Sequence, residues 1–341
     1  MKKSLITLAV LSFAGAASAQ SSVTLYGVAD LFFGQTNKGA PGKQLKQTVV
    51  DTDGLSSSRW GFKGSEDLGG GLKANFVLEG GMKVDSGEQK TAGSIFDRVA
   101  TVGLSGAFGA VALGRQATPY DALRASTNNT YDSKALTATD IVWGKDKNYS
   151  EVTAYESRLS NSIAFNSANY SGFTAGVTYG LGEDKTAARS ASSSISIGAM
   201  YANGPITVGV VHQNEGFTRT VPGNRKNELE NTLFAGAYDF GVVKLGGGYN
   251  EARARVAGVT SPKAKEWFLG ASVPLGALTL KAQYARSKVS NQTSDDSIGL
   301  EALYDLSNLP TAYVGFITYR LDSLQLDTTL RFVLGILLRF L

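Results

Sequence analysis

The sequence predicts an all-β protein: a 16-stranded antiparallel barrel that crosses a membrane, with one long loop, the third, folded into its lumen. Three observations predict it. Most of the 341-residue chain alternates apolar and polar residues in runs of roughly ten, the length of a barrel strand across hydrocarbon. The connections between runs alternate between tight turns and long polar segments. One stretch, Gln116 to Tyr155, breaks the alternation and is rich in Asp, Asn, Thr, Tyr and Arg; a long loop without a period, inside a compact fold, usually has a functional reason.

The N-terminus supplies the compartment. Met1-Lys2-Lys3 is a basic head, Leu5 to Ala17 an apolar run, and Ala17-Ser18-Ala19 a small-residue cleavage site. The run is too short for a membrane anchor. We therefore expect residues 1–19 to be a cleaved export signal and residues 20–341 to be the barrel. Later in the chain no apolar run reaches the ~18 residues of a membrane helix; the nearest, Leu330 to Leu341, is interrupted by Arg331 and Arg339. Mean hydropathy is near zero, so any crossing has to be made by strands with one wet face.

Composition also excludes chemistry. The chain has 40 Gly, 14 Tyr and 16 Phe, but no Cys and a single histidine, His212. Disulfides, thiolate metal sites, Cys nucleophiles and paired-His metal motifs are ruled out. A formal charge of +4 without a Lys/Arg block gives no case for nucleic acid. His212 has no serine motif beside it, and the Gly180–Gly182 and Gly246–Gly248 stretches open no helix, so neither hydrolase nor nucleotide-binding chemistry is expected, and no cofactor or metal.

Each run assigns residues to a face. Val23 to Phe33 sets Val23, Leu25, Leu31 and Phe33 against Thr24, Tyr26, Val28 and Asp30. Ser57 to Ser65 sets Trp60 and Phe62 against Arg59 and Lys63, and Leu72 to Met82 sets Phe76 and Leu78 against Lys73, Asn75 and Glu79. Arg98 to Ser105 and Ala110 to Arg115 alternate weakly. Arg158 to Ala168 opposes Ile163 and Phe165 to Arg158, Ser160 and Ser162. The remaining strands carry Phe173 to Tyr179, Ile195 to Tyr201, Ile206 to Val210, Phe234 to Phe240, Val243 to Tyr249, Trp267 to Val273, Leu278 to Tyr284, Ile298 to Tyr304, Thr311 to Arg320 and Phe332 to Phe340. That count is sixteen.

Asp67-Leu68-Gly69-Gly70, Gly106-Ala107-Phe108-Gly109, Asn203-Gly204-Pro205 and similar Gly, Asn and Pro turns join alternate pairs. The other connections, such as Gln35 to Leu55 and Gln213 to Leu229, are longer and polar. Short turns on one rim and long loops on the other describe an outer-membrane barrel. Many apolar faces end in an aromatic ring (Tyr179, Tyr201, Tyr249, Trp267, Tyr284, Tyr304, Phe340), as interfacial girdles do.

Several segments resemble the trimeric general porins of Gram-negative outer membranes, in the branch typical of β-proteobacteria. They are Val23-Thr24-Leu25-Tyr26-Gly27, the run from Ser58-Arg59-Trp60-Gly61-Phe62-Lys63-Gly64 through Gly71-Leu72-Lys73-Ala74, Thr101-Val102-Gly103-Leu104-Ser105-Gly106, Leu113-Gly114-Arg115-Gln116, and Arg158 with Asn161-Ser162-Ile163. The resemblance implies sixteen strands, a homotrimer embedded in outer-membrane lipids, and passive passage of ions and small hydrophilic solutes. It also implies that a terminal aromatic, here Phe340, forms part of the signal read by the outer-membrane assembly machinery. The family ends on Phe, whereas here Leu341 follows.

The resemblance carries Arg59, Arg98 and Arg158 over as the basic wall of the constriction. Strand parity places Arg59, Lys63 and Arg158 on lumen faces, but puts Arg98 in phase with Val102 and Leu104, so that a bulge or an early strand end is needed there. Opposite them the loop offers Asp121, Asp132, Asp140 and Asp146, of which Asp121 and Asp132 are the expected acidic side. Arginine stays charged at any working pH, so three wall arginines suggest a mild anion preference; pairing of the same charges to pin the loop is the plainer alternative. Strands 1–5 and 16, rich in small and apolar residues, suit a flat contact face of a C3 ring. Two further readings stay open: a channel of this fold preferring a particular anion or organic acid, and a plugged adhesive barrel.

Overall fold

The structure, a computed structural model, describes residues 22–37, 46–130, 134–143, 155–185, 191–217, 227–256, 259–322 and 326–340. The expected leader, Asp132, Asp146 and Leu341 lie outside them. The strands are β1 (Ser22–Asn37), β2 (Lys46–Thr52), β3 (Arg59–Gly69), β4 (Leu72–Gly81), β5 (Val99–Gly106), β6 (Gly109–Ala117), β7 (Arg158–Ser167), β8 (Phe173–Gly180) and β9 (Ser194–Asn203). They continue with β10 (Ile206–Phe217), β11 (Asn227–Asp239), β12 (Lys244–Val256), β13 (Val259–Thr260), β14 (Ala264–Leu275), β15 (Leu278–Val289), β16 (Ser294–Asp305), β17 (Pro310–Leu321) and β18 (Leu326–Phe340).

They form one antiparallel sheet, and β1 pairs with β18 from Gly27↔Phe340 to Gly34↔Val333, which closes it. Two of the strands are not separate staves. β1 pairs with β2 through Leu31–Asn37 and with β3 through Ser22–Val28, so β2 and β3 share one place in the wall. β13 is a two-residue tip on β12. Sixteen wall strands remain, as the alternation predicted. Among the described residues no helix is long and apolar enough to cross a membrane.

The period of two sorts the side chains as expected on most strands. On β7 a register shift, with Asn161 at φ 47°, buries Leu159 and leaves Ser160 exposed, so Arg158 and Ser160 do not share the phase of Ser162. On β18, Leu334, Ile336 and Leu338 face outward and are exposed, whereas Val333 and Leu337 point inward and are buried. On β15, Leu280 faces outward while Gln283, Ala285 and Ser287 are buried inside. The Asp67–Gly71 turn lies on the short-turn rim; Gly69, Gly70 and Gly71 all take positive φ (85, 62 and 81°), a left-handed run that side chains resist.

Three further expectations are corrected. β5 begins at Val99, so Arg98 stands before the strand rather than in it. β6 continues to Ala117, past the expected start of the long loop. The far rim is not uniformly long: β15 and β16 are joined by residues 290–293 alone, with Asn291 at φ 64°. There the two strands run on beyond the apolar band and turn tightly.

The long loop carries two helices that the sequence pattern did not indicate: α1 (Pro119–Thr127) and α2 (Ala138–Val142). Thr118 caps α1, its Oγ1 accepting from the Asp121 amide at 3.2 Å, and Pro119 occupies the first turn, where no amide is needed. Both helices are too short to show a clear period. The loop packs on the inner face of the far wall: α1 lies against β8–β12 and α2 against β15–β17. Where it docks, the lumen is apolar. Tyr120, Leu123, Val142 and Trp143 pack with Val211, Leu233, Phe268 and Ala285. Ala135 and Leu136 pack with Phe32, Tyr313, Ile317, Val333 and Leu337.

Close approach at this seat depends on glycine. A Cβ on Gly246 would collide with the Thr127 carbonyl, and on Gly299 or Gly315 with Leu136. Gly299→Val should therefore lift the loop from the wall and cost about 1–3 kcal/mol. The unfolding midpoint of the refolded protein should fall and single-channel current should become noisier; an unchanged midpoint with unchanged current would contradict this seating.

Candidate functional site

Between the docked loop and the wall of β3–β7 lies a cavity of about 400 Å³. It is lined by Arg59, Arg98, Arg124, Lys134 and Arg158, by Glu79, Asp121 and Asp140, and by Ser56, Ser57, Thr139, Trp143, Tyr155 and Ser157. Five cations thus face three carboxylates. The loop packs on the opposite side of the bore.

Arg59 opens β3, and the β3–β4 register sets Gly61 opposite Glu79, so Arg59 and Glu79 are diagonal neighbours on the inner face. Glu79 is the hub of the wall. Its Oε1 receives Arg98 Nε at 2.6 Å, and its Oε2 lies 3.6 Å from Arg59 Nε and accepts from Tyr26 Oη at 3.0 Å. Arg98 reaches it because β5 has not yet started; the Arg98 amide donates to the Glu79 carbonyl and the side chain is free of strand parity. Two guanidinium groups therefore share one carboxylate. Arg158, at the start of β7, donates to Ser157 Oγ at 3.2 Å.

A second layer holds Arg59. Asp30, wholly buried on the inner face of β1, accepts from the amides of Leu55 (2.7 Å) and Ser56 (2.6 Å) and from Tyr313 Oη (2.5 Å). Asp53 takes a left-handed φ of 68° and accepts from the Ser58 amide at 2.6 Å. The bend from Asp53 to Ser58 is tied down in this way, and Arg59 Nη1 donates to Ser56 Oγ and to the Ser57 carbonyl within it.

On the loop side Arg124 is the staple. It is 1 % exposed, and its Nη2 reaches Thr139 Oγ1 at 2.7 Å and Asp140 Oδ1 at 2.8 Å. Its Nη1 donates to the Tyr155 hydroxyl, and its guanidinium carbon stands 4.7 Å from the Tyr155 ring centroid and 5.3 Å from that of Trp143. One side chain thus joins α1, α2 and the returning end of the loop. Glu215 and Gln213 on β10 fix that end: the Glu156 amide donates to Glu215 at 2.9 Å, and Gln213 Nε2 donates to the Glu156 carbonyl at 2.9 Å. Burial holds the neighbouring Tyr120 hydroxyl well above its ordinary pKa, so it remains neutral.

Of the residues singled out in the sequence, Arg59, Arg98, Arg158, Asp121 and Asp140 meet at this cavity. Lys63 does not line it; four residues further along β3, toward the short-turn rim, its Nζ lies 5.3 Å from the centroid of the Tyr26 ring. Phe340 ends β18 at the barrel seam, its ring covering Gly27. Glu79, Arg124, Lys134 and Asp30 were not anticipated as site residues. Two signals were available: Glu79 and Asp30 are carboxylates at inward positions, and Arg124 is the single arginine of the long loop.

A family profile described as Gram-negative porin matches residues 6–323. Outer membrane porin protein 32 of Delftia acidovorans is 37% identical over 84% of this chain and 80% of its own length. The chain belongs to the Gram-negative porin family. An outer membrane porin protein of Bordetella pertussis is 31% identical over 72% of this chain and 68% of its own. Among solved structures, an anion-selective porin from Comamonas acidovorans superposes with a TM-score of 0.79 at 28% identity, over 94% of this chain and all of that one. This porin is thus a diffusion channel of the Gram-negative outer membrane.

Glu79 gives the sharpest test of the wall. Glu79→Gln leaves two guanidinium groups without their carboxylate. The anion-to-cation permeability ratio from reversal potentials in a KCl gradient should rise about fivefold, the value of roughly 1 kcal/mol for one charge at ~4 Å in water. An unmoved reversal potential would show that Glu79 does not act on the passage.

Proposed function

We propose that this porin passes small hydrophilic solutes through a constriction biased toward anions. The observation that carries the reading is the charge count at the cavity. Arg59, Arg98, Arg124, Lys134 and Arg158 outnumber Glu79, Asp121 and Asp140; Glu79 is spent on two arginines and Asp140 on Arg124. Guanidinium groups stay ionised at all working pH values, so the excess is permanent. Low-dielectric walls on both sides focus its field across the water. The Comamonas porin, anion-selective by its description, supports the sign. A cavity open between loop and wall speaks against a plugged, adhesive barrel.

The same reading covers three features outside the passage. Residues 1–19 serve as an export leader removed from the mature chain. Phe340, at the end of the closing strand, presents the aromatic terminus to the assembly machinery. The wall of β1, β3–β6 and β18 is the contact face of a homotrimer: Val23, Leu25, Val102, Leu104, Leu334 and Ile336 stand exposed along it as an apolar surface. No part of this function calls for catalysis.

Arg59→Ala and Arg158→Ala should each move the zero-current potential toward cations, by up to about fivefold in permeability ratio. The bias of the native channel should also shrink between 0.1 M and 1 M salt, as the screening length falls from about 10 Å to about 3 Å. A native channel that prefers cations, or one whose preference survives both substitutions and high salt, would overturn the proposal.

A further inference from the structure

The two oxygens of Glu79 are not used alike. Oε1 takes Arg98 Nε at 2.6 Å, the short distance of a charge-assisted pair. Oε2 accepts from Tyr26 Oη at 3.0 Å, while Arg59 Nε stands 3.6 Å from the same oxygen, beyond ordinary hydrogen-bond length. Glu79 therefore holds Arg98 closely and Arg59 only loosely, and a phenol occupies the oxygen that Arg59 faces.

Register puts the phenol there. Tyr26 on β1 is opposite Gly61 on β3, and Gly61 is opposite Glu79 on β4, so the three form one row across the wall. Tyr26 shares the inward phase of the buried Val28 and Asp30. Side chains two staves apart start about 10 Å from each other, so they meet only where the middle position leaves room. Glycine leaves it: a Cβ on Gly61 would come within 2.9 Å of Tyr26 Cζ and 3.0 Å of its Oη. The ring thus lies across Gly61, and its hydroxyl arrives at Glu79. Lys63, the next inward residue of β3, sets its ammonium 5.3 Å from the centroid of the same ring, a second hold on it.

Tyr26 is not among the residues that line the cavity, so its effect on the passage runs through Glu79. A phenol donates a hydrogen bond without bringing a charge. It takes up an acceptor site on the carboxylate and leaves the cation beside it uncancelled. A guanidinium drawn onto that oxygen instead would lose part of its field to the carboxylate.

We propose that Tyr26 is a positioning residue for anion selectivity: by occupying Glu79 Oε2, its hydroxyl keeps Arg59 from closing onto the carboxylate and so preserves the Arg59 charge for the passage. The inference deepens the anion-biased reading above and rests on it. Without the hydroxyl, Oε2 passes to Arg59 Nε and the pair shortens to full contact. Glu79 then neutralises two arginines closely instead of one, and less cationic field reaches the water.

The test is Tyr26→Phe in the full mature chain, with refolding checked by far-UV circular dichroism and permeability ratios taken from reversal potentials in a KCl gradient. The anion-to-cation ratio should fall about twofold, the opposite direction from Glu79→Gln. A merely structural role would not depend on the two partners. Tyr26→Phe should therefore change nothing in a Glu79→Ala background, where no carboxylate is contested. Nor should it act in an Arg59→Ala background, where no Arg59 guanidinium takes the vacated oxygen. An unchanged or raised ratio in Tyr26→Phe alone overturns the proposal, and so does a fall that persists in either background. The native ratio is a separate reading: a native channel without anion preference overturns the anion-biased function, whereas the role of Tyr26 is judged from differences between variants.

Discussion

Hydrocarbon offers an amide no partner, and a sheet edge left open in it costs several kcal/mol for each unpaired group. The seam between β1 and β18 removes that edge, from Gly27↔Phe340 to Gly34↔Val333. Most of the molecule's other properties follow from this closure. It gives every strand an inside and an outside, so that the period of two becomes a division between water and lipid. It also makes a hole, whose width a folded loop then has to set.

The loop is held by ordinary core physics in an unusual place. The lumen is not polar all round. On the side of β8–β12 and β14–β18 it presents Leu233, Phe268, Ile317 and Leu337, and the loop buries Tyr120, Leu123, Leu136 and Trp143 against them. Arg124 ties the loop to itself. The cavity is left on the side of β3–β7, where the arginines are. Their positions depend in turn on buried carboxylates: Asp30 holds the bend that presents Arg59, and Glu79 collects Arg59 and Arg98. The same carboxylates lower the net positive charge that they help to place, so selectivity is a difference between opposed groups rather than the effect of one residue.

Neighbouring residues on one strand can serve two solvents. Lys265 is exposed on the outer wall, while Glu266 next to it is buried inside, accepting from Asn250 Nδ2 at 2.8 Å and from Ser287 Oγ at 3.1 Å. The inner carboxylate is satisfied by its neighbours. The outer ammonium stands opposite that of Lys288 on β15. Charge on the two faces of the wall is thus arranged independently, as a sheet only one residue thick permits.

Alternation is a local property, and what it encodes was legible in the chain: sixteen staves, most of their faces, the tight-turn rim, and the inward aim of Arg59. Arg158 lines the cavity from the start of β7, beyond a register shift that gives the inward phase to Leu159. The early end that parity demanded at Arg98 is there, at Val99. What alternation does not encode is which inward residues meet across the bore. Lys63 shares a face with Arg59 yet lies away from the cavity, because position along the strand, not parity, decides that. The helices of the loop, the staple at Arg124 and the sharing of Glu79 were decided only when closure fixed the bore's width and brought α1 and α2 against strands far away in sequence. A strand's own residues determine which way they point; the space they point into is determined by the other fifteen.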